Sequence, residues 1–145
     1  MIDSILLVDD EDLFHLVFED ACSLLDISLS LKSLNSADEA GKMFKKWLEE
    51  GKVGERPECV FVDLNIIGSS FDGIELIRKI NFEYGNNVVI GIISSSNEAE
   101  EQSKAIQAGA QFWIIKSDDI EPRLEEFRKD YEGYRNRINP FKIYK

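Results

Sequence analysis

Four apolar runs in this chain stop abruptly on a polar or charged side chain, and this limits the folds open to it more than any other feature. Cys59-Val60-Phe61-Val62 ends on Asp63, and Ile5-Leu6-Leu7-Val8 ends on the pair Asp9-Asp10. Phe112-Trp113-Ile114-Ile115 ends on Lys116, and the run from Val88 to Ile93 meets Ser94-Ser95-Ser96. Continuous apolar runs with polar boundaries are what strands covered on both faces of a parallel sheet look like. In an open parallel sheet, ligands gather at the carboxyl ends of the strands. Three acids, a hydroxyl and an ammonium are therefore expected along one edge.

Helical patterns lie between the runs. Leu13, Phe14, Val17, Ala21, Leu24 and Leu25 recur at helical spacing and predict one apolar face. Leu29 and Leu31 predict a short strand at a sheet edge. Ser36-Ala37-Asp38-Glu39 has the form of a capping box, opening a helix that buries Ala40, Phe44, Trp47 and Leu48. Gly51 to Pro57 reads as a polar loop. A third helix from Gly73 carries Ile74, Ile77 and Ile80. The stretch from Asn97 to Ala108 is the least apolar helix, and Gly109 supplies its stop. In the last helix Ile120, Leu124, Phe127, Tyr131, Tyr134 and Ile138 form a stripe read first as core and second as a partner-facing seam. Five βα units predict an α/β fold, a doubly wound five-stranded parallel sheet with helices on both faces.

Composition limits the function classes. The chain has 145 residues, of which 43% are hydrophobic, enough for one sizeable core and too few for two. A net charge of −11 argues against direct nucleic-acid binding, which needs clustered Lys and Arg. No apolar run approaches a membrane span and no leader pattern stands at the start, so a soluble, cytoplasmic protein is expected. Cys22 and Cys59, in apolar stretches, read as buried reduced thiols. Beyond Glu132 the charged residues Arg135, Arg137, Lys142 and Lys145 are all basic, which reads as a solvated terminus before a partner contact.

Asp9-Asp10 after the first strand, Asp63 after the third, Ser94 after the fourth and Lys116 after the fifth resemble the receiver domain of two-component response regulators, in order, placement and spacing. Each motif alone is weak, but five in register are specific. The resemblance implies a flavodoxin-like (βα)5 fold over residues 1–138, followed by an irregular tail, 139–145. It also implies a stand-alone, chemotaxis-type receiver that takes a phosphoryl group from a histidine kinase on Asp63. Clustered carboxylates cannot all stay ionised without a cation, so Mg²⁺ is the expected cofactor. By resemblance its ligands are Asp9, Asp10, Asp63 and the backbone carbonyl of Asn65. Lys116 and Ser94 would hold phosphoryl oxygens, Trp113 aligns with the switch aromatic, and Asn65 and Ser96 would tune self-dephosphorylation. The partners implied are a sensor histidine kinase or histidine phosphotransfer protein and a downstream protein, with readout on the fourth helix, fifth strand and fifth helix.

Competing readings accompany each residue. Asp9 and Asp10 could cap the following helix, and Asp63 could form a turn. Lys116 could be solvated, and Ser96 or Asn97 could cap the fourth helix. Glu11 and Asp12 read as solvated, His15 as structural or exposed, and Trp113 as a buried ring with its N–H satisfied. Ser117 stands where the family has proline, and Ile67 replaces another. The loop from Asp63 to Gly73, with Gly68, Ser69 and Ser70, is longer than the family pattern and reads as flexible. Three alternatives of function remain. One is a phosphorelay intermediate that passes phosphate to a histidine phosphotransfer protein. Another is a phosphorylation-independent interaction module of the same fold. The third is an aspartyl phosphatase, disfavoured because Asn65 stands where its general acid would be.

Overall fold

Each apolar run becomes a strand. The computed structural model describes residues 2–50, 56–66 and 72–145. In chain order these form β1 (Ile2–Val8), α1 (Asp12–Leu25), β2 (Ser28–Leu34), α2 (Ala37–Glu49), β3 (Cys59–Asp63) and α3 (Gly73–Tyr84). There follow β4 (Val89–Ser94), α4 (Ala99–Ala108), β5 (Phe112–Ile115), α5 (Glu121–Arg135) and β6 (Lys142–Tyr144). The strands lie in the order β2-β1-β3-β4-β5-β6, every neighbouring pair parallel. The doubly wound, flavodoxin-like architecture expected from the sequence is present, with β2 at one edge as predicted.

Two layers of apolar side chains cover the sheet. On one face Leu6, Val8, Val60, Val62 and Trp113 meet Phe44 of α2, Ile77 of α3 and Ala105 of α4. On the other, Ile5, Leu7, Phe61, Phe112 and Ile114 meet Phe18 of α1 and Phe127 of α5. Successive residues of a strand point to opposite faces, so runs such as Phe61-Val62 feed both layers and tolerate no polar interruption. All five residues of β3 are buried, including its terminal Asp63.

Helix ends follow local chemistry. Ser36 Oγ accepts a hydrogen bond from the Glu39 amide at 3.1 Å, the forward half of the predicted capping box. Asp72 caps α3 in the same way, through the Glu75 amide. Gly109 closes α4 at φ 111°, a left-handed conformation that costs glycine little. Pro122 sits at the start of α5, where a missing N–H costs nothing.

Three expectations change. On α1 the core face is Phe14, Phe18, Ala21 and Cys22, while Leu13 and Leu24 are 68% and 73% exposed. Leu48 of α2 and Ile138 beyond α5 also face out. The segment read as an irregular tail contains β6, which pairs Phe112 with Lys142, Trp113 with Ile143 and Ile114 with Tyr144, so the sheet has six strands. Of the basic residues beyond Glu132, Lys142 pairs with Glu126 and Asp130 and Arg137 donates to the carbonyls of Gly85 and Val88, while Arg135 and Lys145 are exposed. The greater part of the Gly51–Pro57 loop, and Ile67, Gly68, Ser69 and Ser70, lie outside the described residues. Among the described residues no helix is long and apolar enough to cross a membrane.

Candidate phospho-acceptor site

β1, β3, β4 and β5 end side by side, and their terminal polar residues meet. Asp9 follows β1, Asp63 closes β3, Ser94 closes β4 and Lys116 follows β5. Asp9, Asp10 and Asp63 each offer a carboxylate oxygen, all within 4.8 Å of one another. Asp9 is fully buried and Asp63 is 7% exposed.

The backbone around them is tightly held. A Cβ on Gly73 would lie 2.2 Å from the Asp63 carbonyl oxygen, so only glycine lets the start of α3 pass this close to the end of β3. The Glu11 amide donates to Asp9 Oδ1 at 2.8 Å. His15, buried on α1, contacts the Asp9 carbonyl through Nε2 at 2.5 Å. A carbonyl only accepts, so this nitrogen is the donor. His15 is thus structural, one of the two outcomes the sequence allowed.

Lys116 lies 2.8 Å from Asp9 Oδ2 and 2.9 Å from Glu11 Oε2, above the Phe14 ring at 4.5 Å. Its amide donates to the Ser94 carbonyl at 2.7 Å. Burial pulls the ammonium's pKa down, but Asp9, Glu11 and Asp63 outweigh it and the net direction is upward. The lysine is therefore charged and not simply solvated, and Glu11 is its second partner. Asp12 accepts from Asn35 Nδ2 at 2.8 Å. Glu11 is the residue at the helix start and makes no side-chain cap of its own, while Asp9 accepts from its amide, so Asp9 binds both the start of α1 and Lys116.

Burial pushes the Asp63 carboxyl up to about 6, and the charge of Asp9 pushes in the same direction. Lys116 opposes this, Asp10 adds to it, and the Asn65 amide lowers it through a hydrogen bond. Lys116 pairs with Asp9 and Glu11. Asp9 Oδ2 is buried without an aligned hydrogen-bond donor, so its partner is the nearby ammonium acting as a charge. A buried, incompletely satisfied oxygen beside two more carboxylates suits a small hard divalent cation, which takes oxygen ligands. The donor set fits Mg²⁺.

Ser94 is buried, and its Oγ accepts from the Ser96 amide at 3.1 Å. The expected caps of α4 are not made. Ser96 Oγ donates to Glu101 Oε2 at 3.0 Å, Asn97 Oδ1 accepts from Gln102 Nε2, and Glu98 at the helix start has no side-chain bond. Trp113 is fully buried and its indole N–H donates to the Ser96 carbonyl at 3.0 Å. Asn65 is exposed at the mouth of the site. Where the family carries proline, Ser117 Oγ accepts from Arg123 at 2.6 Å, which ties the turn after Lys116 to α5. Glu11, read from the sequence as solvated, pairs with Lys116, and His15, read as structural or exposed, holds the Asp9 carbonyl. The signal for Glu11 was its place beside the acidic pair, and for His15 its place one turn into α1.

Residues 5–126 match the response regulator receiver domain family. The chain belongs to that family. Its solved structural neighbours agree in fold. NtrX from Brucella abortus superposes with a TM-score of 0.73 at 24% identity, over 94% of this chain and 28% of that one. The CheY-like receiver domain protein from Methanospirillum hungatei JF-1 gives 0.71 at 16% identity, over 94% and 99%. The phosphorylated cyanobacterial phytochrome response regulator RcpA gives 0.70 at 18%, over 92% and 94%. The chain thus spans little more than a quarter of NtrX but nearly all of the other two. No curated protein sequence matches it. Receiver domains are signalling phospho-acceptors in two-component systems.

Proposed function

We propose that this receiver accepts a phosphoryl group on Asp63 from the phosphohistidine of a sensor kinase or phosphotransfer protein, with Mg²⁺, and signals through protein contacts. One observation carries the reading: carboxylate oxygens of Asp9, Asp10 and Asp63 gather within 4.8 Å of one another at the strand ends, where burial and the charge of Asp9 push Asp63 up to about 6. Carboxylate oxygens of Asp9, Asp10 and Asp63 with the Asn65 carbonyl would hold the cation. When bound, it neutralises charge on the phosphoryl oxygens during transfer.

The chain's own residues do the rest. An Asp63 carboxylate oxygen forms the new P–O bond as the P–N bond to the donor imidazole breaks, and the nitrogen keeps the electron pair. Lys116 supplies a compact positive charge to a phosphoryl oxygen in place of its contact with Glu11. Ser94 Oγ turns from the Ser96 amide to donate to another oxygen. Ser96 then has to find a new acceptor for its N–H, and the Trp113 indole rests on its carbonyl, which is how Trp113 would sense the change. Asn65 and Ser96 would tune water attack on the acyl phosphate.

Intact mass after incubation with acetyl phosphate tests the proposal. We expect one phosphoryl adduct that requires Mg²⁺ and is absent from Asp63→Asn. No adduct on the folded wild-type chain would sink it, in favour of a receiver fold that works by contact alone.

A further inference from the structure

β6 is held by far more than its three residues would suggest. Ile143 and the preceding Phe141 pack on the sheet face that holds Trp113. Tyr144 turns to the opposite face, its ring centroid 5.8 Å from that of Phe127. Its hydroxyl lies 2.8 Å from the Tyr134 hydroxyl and donates to Asp130 Oδ2 at 2.7 Å. Lys142 stands at the rim with Nζ 2.9 Å from Glu126 Oε1 and 3.0 Å from Asp130 Oδ2.

The side chains that hydrogen-bond or pair with Lys142 and Tyr144, Glu126, Asp130 and Tyr134, belong to α5, and the strand that β6 pairs with is β5. The receiving surface comprises the β5 edge, an acidic notch of Glu126 and Asp130, and an aromatic slot at Phe127 and Tyr134 with the Asp130 carboxylate as hydrogen-bond acceptor. The chain leading in is anchored separately from the strand, by Arg137 on the carbonyls of Gly85 and Val88, by Asn139 Nδ2 donating to the Asp130 carbonyl at 2.8 Å and by the Ile138 and Asn139 amides on the Gly133 carbonyl. Strand addition of this kind takes affinity from main-chain hydrogen bonds and specificity from pockets for alternate side chains. Charge complementarity defines what fits: a cation in the notch, then an aromatic ring two residues later.

We propose that the β5–α5 edge is a strand-accepting groove for an extended segment of a partner protein carrying Lys or Arg two residues before an aromatic residue, with β6 as its resident occupant. The groove stands on this geometry and does not depend on the chemistry at Asp63. The test is an NMR titration of the ¹⁵N-labelled full chain with a free peptide of the sequence of residues 139–145. Lys142→Glu, an exposed change, sets the resident strand against Glu126 and Asp130 and leaves the groove intact. We expect this variant to bind the peptide about tenfold more tightly than wild type, with shifts centred on Phe112 to Ile114 and the Trp113 indole. A peptide with glutamate in place of its first lysine is expected to bind about tenfold more weakly. Tyr144→Ala, which empties the aromatic slot, repeats the test by a second route. Equal affinities for wild type and both variants, shifts elsewhere, or no binding by variants whose spectra remain folded would each overturn the groove.

Discussion

The carboxylate edge and the aromatic cluster beneath α5 sit in one sheet and are built on opposite physics. Around Phe127, the rings of Phe61, Phe112, Tyr134 and Tyr144 lie with centroids between 4.5 and 5.8 Å, in tilted, stacked and edge-on pairs. Each ring there gains from every neighbour, because aromatic pairs add to the area they bury. Around Asp63, each carboxylate works against its neighbours, and burial makes the conflict worse. The two regions touch through Phe18 and Phe14, whose ring supports Lys116. The comparison teaches that stability is concentrated on one side of the β3 strand, and that its end is kept poor in stability for the benefit of a cation and a phosphoryl group.

The largest effect should come from breaking the stable half. Phe127→Ala empties the centre of the cluster and is expected to cost about 3–5 kcal/mol, read by urea unfolding. Yet the folded fraction should still form the Mg²⁺-dependent adduct. Loss of the adduct in protein that remains folded would mean that the two regions are not separable.

Next is the reverse result at the acidic end. Asp63→Asn should abolish phosphorylation while stabilising the metal-free protein by about 1–3 kcal/mol at neutral pH. The sign follows from the raised value. The folded state holds the Asp63 proton more tightly than the unfolded state does, so wild-type stability rises as pH falls from about 6 toward the ordinary value of 3.8 and declines as pH climbs back. Asparagine removes this slope in that window. A variant less stable than wild type at pH 7 would contradict the account of the site as electrostatically strained.

Tyr144→Phe sharpens the contrast at smaller scale. It keeps the ring and removes only the hydroxyl that meets Tyr134 and Asp130, so about 1 kcal/mol is expected, visible in the midpoint of thermal unfolding. Smallest is Leu24→Gln on α1. At 73% exposure, Leu24 belongs to neither region, and the change should fall within about 0.5 kcal/mol. A loss of several times that would restore the face first expected of this helix.

Those two residues mark where the sequence could and could not be read. Strand ends were legible because a buried run must be apolar without interruption, so the first charge after Val8, Val62 or Ile115 fixes its own position at the sheet edge. Asp9, Asp63 and Lys116 were placed at the sheet edge in this way, and Ser94 by the polar boundary after Ile93. The face of α1 was ambiguous because leucines lie on both of its sides, and periodicity does not say which side faces the sheet. Phe14, Phe18 and Cys22 won that contest by fitting against Phe61 and the strands. β6 escaped because three residues carry no periodicity, and Lys142 in the middle of Phe141-Lys142-Ile143-Tyr144 resembles solvated chain until Glu126 and Asp130 are seen to hold it. The caps expected from Ser96 and Asn97 went instead to Glu101 and Gln102, partners that lie one helical turn ahead.

The indole of Trp113 has one further consequence. Buried, and anchored by its N–H to the carbonyl of Ser96, it is a chromophore in contact with the hydrogen-bonded turn that includes Ser94. The other tryptophan, Trp47, is partly buried on α2 and supplies a background remote from β5. Ultraviolet emission from the unlabelled chain is therefore an optical gauge of that turn, with colour set by whether the Ser96 carbonyl keeps its hold on the ring.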